Sequence, residues 1–374
     1  MFGVTICVLV ASILPTPPAG SDVPRRIDVD CSVHGALEKA LTRAGTIGKV
    51  DIYLHGTCKG NFVINSEDVT LLDATGDSGL EAPTGDTSDS PVLEIGDVRA
   101  NVQGLFVKGG QIGILVHGWD SEVFFSQVSV HGQGNYGLFA NRGAQVHVLD
   151  STVGDGLYGI VVNADSSINL QRVVVSHCDI GVLLFYGSLA AINDSTIENN
   201  RVAGLSVGNR SDANVLGGVF RENGGVHIAD DDWSSVTLLN GVALGSEGDA
   251  TSYALSSSRS ASIDTYTTPV IYGNAGAGAG GSLALGNTVL NGDLIVTQFA
   301  NAHVRNSEIA GVVVCMDGGE AICRQTPTEG AFDCPSPTCG SPTAGVAARV
   351  RSAPEIPVIE APRFEPSSRP RLRR

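Results

Sequence analysis

The stretch "STVGDGLYGIVVNADS", residues 151–166, breaks its apolar residues into short runs and separates them with Gly, Asp and Asn. Its Gly159-Ile160-Val161-Val162 has counterparts before and after. They are Gly113-Ile114-Leu115-Val116, Gly137-Leu138-Phe139-Ala140, Gly181-Val182-Leu183-Leu184, Gly204-Leu205-Ser206-Val207 and Gly225-Val226-His227-Ile228. By subtraction, successive first glycines lie 24, 22, 22, 23 and 21 residues apart. A second element keeps the same period: Val146-His147-Val148, Ile168-Asn169-Leu170, Ala190-Ala191-Ile192, Ala213-Asn214-Val215 and Val236-Thr237-Leu238. A third is one apolar residue ahead of a polar turn: Val130, Val153, Val175, Ile197 and Phe220. Each repeat therefore holds three short strands, and alternation within a strand turns one side chain in and the next out.

A fixed period of this size means stacked supersecondary units. A propeller blade needs about 40 residues, and no Leu/Asn frame with room for a helix is present. Three period-2 strands in about 22 residues fit a coil of a parallel β-helix, stacked at about 4.8 Å on the next. On these repeats, roughly residues 29–322 resemble the right-handed parallel β-helix repeat proteins of the pectin-lyase-like superfamily. The expected fold is all-β: a single right-handed parallel β-helix of about ten coils of 21–28 residues, a capping helix and a disordered C-terminal tail.

Composition agrees. Of 374 residues 47 are Gly, and of 16 Pro only Pro83, Pro91 and Pro269 fall between residues 25 and 324. Coils bond to their neighbours through backbone N–H groups, so internal proline is penalised. Residues 21–45 form the expected N-terminal cap. In "SVHGALEKALTRA", 32–44, Ala36, Leu37, Ala40, Leu41 and Ala44 share one helical face. Residues 46–324 are the β-helix. "GNAGAGAGG", 273–281, reads as a flexible loop, and "GDSGLEAPTGDTSDSP", 76–91, as a mobile acidic insertion.

Residues 1–20, with an apolar run too short for a membrane span, read as a signal peptide, which places the protein in the secreted, periplasmic or cell-surface class. Cys31 and Cys58 flank the cap helix and pair. Cys315, Cys323, Cys334 and Cys339 permit three pairings, and sequence neighbours give Cys315–Cys323 and Cys334–Cys339. Their spacing does not suit zinc, and no metal or cofactor is expected. Residues 325–374 form a Cys/Pro-rich segment and basic tail. The last 26 residues carry seven Arg and three Glu, so +4, against −16 for the whole chain. The remainder is therefore near −20, which argues against nucleic acid as a partner.

Outward columns carry the candidate chemistry. One reads Gln127, Asp150, Arg172, Asp194, Gly217; a second Gly132, Asp155, His177, Asn199, Glu222; a third His131, Ser176, Glu198, Arg221. Asp150, Arg172 and Asp194 are the candidate catalytic residues, with Asp155, His177 and Glu198 completing one mid-rod patch. An Arg between carboxylates suits a uronate sugar, with a carboxylate as proton-transfer partner. Tyr136 and Tyr158 would hold a sugar ring by its apolar face. Polygalacturonase-like members of the superfamily carry Asn-Thr-Asp, Asp-Asp, Gly-His-Gly and Arg-Ile-Lys; only an Asp-Asp occurs here, within Asp230-Asp231-Asp232. The reading is thus a β-helix that binds an extracellular polysaccharide and, if an enzyme, cleaves it as lyase or hydrolase. The alternative is a non-catalytic surface scaffold that displays loops to a protein partner. Cys178, Asn200 and Asn223 align in one turn column and read as a structural ladder.

Overall fold

A computed structural model describes residues 23–247, 253–267, 270–324 and 332–334. The expected signal peptide, most of the tail and Cys339 lie outside the described residues.

The chain winds into a solenoid of three parallel sheets. Among the described residues the first sheet has 14 strands, the second 12 and the third 13. Every strand pairs in parallel with its equivalent one coil on. In the first sheet Val146 faces Ile168, then Ala190, Ala213 and Val236. In the second, Val130, Val153, Val175, Ile197 and Phe220 stack in one column. All of these are buried. Alternation thus turns one side chain per two residues into a continuous aliphatic column, and burial of that column is the main stabilising term. A second apolar cluster, with Val161, Leu183, Phe185 and Tyr253, lies on the outer face of the third sheet.

There are about thirteen coils, not ten. Coils near the ends are shorter than the repeat suggested: Val50 pairs with Val69 and Ser282 with Asn301, 19 residues in each case by subtraction. One register also differs. Leu205 faces Ile228, so His227 and not Gly225 follows Gly204 in the glycine column. The extra Gly224-Gly225 belongs to the preceding turn, and a two-residue offset preserves which side chains point inward.

"GNAGAGAGG" is not a loop. Asn274–Ala277 is a strand of the third sheet with Ala275 and Ala277 in the core. Small residues there fill the inward positions. The acidic insertion is partly structured too. Gly79–Glu81 is a second-sheet strand, and Glu81 pairs with Lys59 at 3.2 Å.

The cap helix, α1, spans Ala36–Ile47 and buries Leu37, Ala40, Leu41 and Ala44. It follows a strand, Arg25–Asp30, that adds to the first sheet beside Val50–His55. Helix and strand together cover an edge that would otherwise invite pairing. Cys31 is disulfide-bonded to Cys58. At the other end the neighbour pairing is wrong: Cys315 bonds Cys334. Stacking explains this. Val313 and Val314 pair with Phe332 and Asp333 one coil on, so the next residues, Cys315 and Cys334, meet. Cys323 lies on the first sheet and is disulfide-bonded as well.

Candidate functional site

The three corners of the coil carry the exposed side chains. Between the first and second sheets each coil spends one residue in the left-handed region: Gln127, Asp150, Arg172 and Asp194, with φ of 55°, 49°, 52° and 46°. Between the second and third sheets Asp155, His177, Asn199 and Glu222 do the same, at 63°, 58°, 55° and 55°. Backbone ladders fix the stacking. The Asp150 N–H donates to Gln171 O and that of Arg172 to Asn193 O, both at 3.0 Å. The strand Thr152–Gly154 and its equivalents separate the two corners.

The expected mid-rod patch therefore divides into local pairs. Arg172 grips Asp150 with both ends of its guanidinium, Nε to Oδ1 at 2.6 Å and Nη2 to Oδ2 at 3.0 Å. That hydrogen bonding holds the Asp150 carboxyl below the usual carboxylate range. A guanidinium committed to one carboxylate in this fork cannot also bridge a second, and Arg172 is not bonded to Asp194. Glu198 pairs with Arg221 at 2.6 Å on the second sheet, and His177 Nδ1 lies 3.0 Å from Ser176 Oγ at the other corner. Tyr136 and Tyr158 stack on each other, centroids 5.5 Å apart and planes 17° from parallel. Both are half-buried, and burial pushes the Tyr136 phenol up to about 12. The ladder continues inside the same turn. Asn200 Oδ1 accepts from Cys178 N at 3.1 Å, and Asn223 Oδ1 accepts from Asn200 N at 3.2 Å.

The Asp230-Asp231-Asp232 run splits in three directions. Asp230 points into the core, between Val207 and Ser257 of the adjoining coils, and burial pushes its carboxyl up to about 9. Asp231 is buried and held by Arg259. Asp232 sits outside on a turn, 3.1 Å from the same guanidinium.

The third corner, between the third and first sheets, escaped the sequence reading. Its turns hold two residues, commonly both left-handed: Ala164-Asp165, Asn209-Arg210, Asp232-Trp233, Arg259-Ser260 and Gln298-Phe299. Here stand Trp119, Tyr186, Trp233 and Phe299, exposed to 66%, 53%, 72% and 79%. Both tryptophans of the chain are among them. Asn-Gly is the economical choice for such a turn. A bulky side chain in the left-handed region costs about 1 kcal/mol, and leaving it in water forgoes its burial. Asp165, Tyr186, Gly187, Asn209, Arg210, Asp232 and Trp233 line a cavity of about 590 Å³ on this corner. Among the described residues, Asp165 and Arg210 have no side-chain hydrogen bond or ion pair. The signal available in sequence was phase: Trp119, Trp233 and Phe299 take the second residue of this turn, and Tyr186 the first.

Residues 112–267 match the family model described as a right handed beta helix region. The chain is a right-handed parallel β-helix protein. This β-helix is similar in structure to two mannuronan C-5 epimerase A-modules of Azotobacter vinelandii. For that of AlgE6 the identity is 14%, covering 83% of this chain and 100% of the other, with a TM-score of 0.49. For that of AlgE4 it is 14%, covering 80% and 95%, with a TM-score of 0.48. PfbA, a surface adhesin of Streptococcus pneumoniae, is 12% identical over 82% of this β-helix and 89% of its own chain, with a TM-score of 0.38. No curated protein matches the sequence. Among the described residues no helix is long and apolar enough to cross a membrane, and no group of three or more His, Cys, Asp or Glu could hold a metal ion.

Proposed function

We propose that this β-helix is a secreted or surface-exposed rod that binds an extracellular polysaccharide at the corner carrying Tyr186 and Trp233. One observation carries the reading: among the described residues four of the six exposed aromatic rings, both tryptophans included, stand on one corner, and three of them, Tyr186, Trp233 and Phe299, do so in the left-handed region. Such strain persists where function maintains it. An open ring face takes the C–H face of a pyranose, and Asp165, Asn209 and Arg210 beside it supply hydrogen bonds to hydroxyl groups. Binding is favoured over hydrolysis at this corner. Asp165 and Asp232 stand three coils apart, about 14 Å along the axis, beyond the separation of about 5–9.5 Å that glycosidase carboxylates keep.

The test is a glycan array read with wild type, Tyr186→Ala and Trp233→Ala. The expected result is a bound glycan whose signal falls about tenfold or more in either variant, with thermal unfolding unchanged. A wild type that binds no glycan, or variants that bind as well, would leave the scaffold reading in its place.

A further inference from the structure

The cavity between Tyr186 and Trp233 is one part of a longer line. The backbone ladder at this corner counts the coils: Gly143 N–H donates to Ala164 O, Asp165 to Tyr186 O, Gly187 to Asn209 O, Arg210 to Asp232 O and Trp233 to Arg259 O. Further along, Gly280 donates to Gln298 O and Phe299 to Asp317 O. Trp119 lies one coil before Gly143, because His117 pairs with Asn141. Trp119, Tyr186, Trp233 and Phe299 are therefore separated by three, two and three coils. At about 4.8 Å per coil the line runs about 38 Å, parallel to the solenoid axis.

Gly143, Ala164, Ser260, Ala279 and Gly280 leave several positions between the aromatics low, and Arg259 is drawn down onto Asp231 and Asp232. Arg142, Asp165, Asn209 and Arg210 also stand between the rings, as polar groups able to hydrogen-bond a chain lying over them. At each end of the line the ring lies against a glycine of the next coil. A Cβ on Gly143 would come within 2.2 Å of Trp119 Cε3, and one on Gly318 within 2.7 Å of Phe299 Cδ1. Each ring so seated still leaves most of its surface in water. A protein partner would be met by aromatics clustered at a patch centre, within contact of one another. Rings in single file, at whole multiples of one repeat, match a ligand that itself repeats along a straight line.

Resting on the binding reading above, we propose that the ligand is a long linear polysaccharide laid parallel to the rod axis, held at four aromatic stations from Trp119 to Phe299. Affinity then comes from linked weak contacts and grows with chain length until the stations are filled.

The experiment titrates size-fractionated oligomers of about two to about twelve sugars, prepared from a neutral β-glucan and from a polyuronate, into the full chain. Expected are a rise in affinity of about tenfold or more from shortest to longest, and a loss of that gain in Trp119→Ala and Phe299→Ala with short-oligomer binding unchanged. Trp233→Phe leaves Trp119 as the one indole emitter, and its fluorescence should respond to long oligomers and not to short ones. Equal affinity at all lengths, or end variants that bind long oligomers as wild type does, would overturn the track while the Tyr186–Trp233 site stands. Oligomers that bind none of the proteins, or bind Trp233→Ala undiminished, would remove both.

Discussion

Trp119 rests on Gly143 of the following coil, with the six-membered part of the indole where a side chain on that glycine would be. Gly143 has φ of 80°, so it serves twice: it accepts the left-handed turn and it leaves room for the ring.

Gly143→Ala should therefore cost more than its backbone alone. The left-handed conformation costs alanine about 1 kcal/mol, and displacement of the indole adds to that. In a Trp119→Ala background the second part vanishes. Thermal melts of the four proteins measure the coupling. Equal losses in both backgrounds would mean that the indole is not seated on the glycine.

The mid-rod columns make the opposite prediction. Arg172 and Asp150 are exposed, and such a pair is screened by water. Arg172→Ala should hardly move the melting temperature. It should let the Asp150 carboxyl titrate at higher pH, because the hydrogen bonds that depress it are gone. Carboxyl NMR titration reads the shift. Glycan binding should be unchanged; its loss at constant stability would relocate the site to Asp150, Arg172 and Asp194.

The inward columns were legible because burial forces them to be aliphatic, so Val153, Val175 and Ile197 announce both period and register. The Asn200–Asn223 ladder was legible for a similar reason, since stacked coils bring identical turn positions together. Partnership on the surface was not. The order Asp150, Arg172, Asp194 in a column does not say which carboxylate the guanidinium takes. The Cys315–Cys334 bond depended on a strand, Phe332–Asp333, with no repeat signature of its own. The aromatic corner was missed because a reading keyed to inward residues treats turns as filler, while Trp233 and Phe299 stand in turns.

Asp230 gives the sharpest dependence on pH. It continues an inward column that reads Val162, Leu184 and Val207 in the preceding coils. Neither carboxyl oxygen has a hydrogen bond among the described residues. The Ser262 N–H donates instead to Ser234 O at 3.0 Å. Burial, aided by the charges of Asp212 and Asp264, pushes the folded-state value up to about 9. In the unfolded chain the same group ionises at about 3.9. Between those values the folded state binds the extra proton, so stability is fully present below the unfolded value and is lost as pH rises toward the folded one. Asp230→Val removes the titration and restores the residue found at Val207. The variant should be more stable than wild type at pH 8 by roughly 5 kcal/mol, since pH 8 lies about four units above the unfolded value at about 1.4 kcal/mol per unit. The gap should narrow steadily as pH falls toward the unfolded-state value. Melting curves of both proteins across that range isolate this one group, because every other titration is shared. Parallel curves would show that Asp230 does not stay protonated in the core.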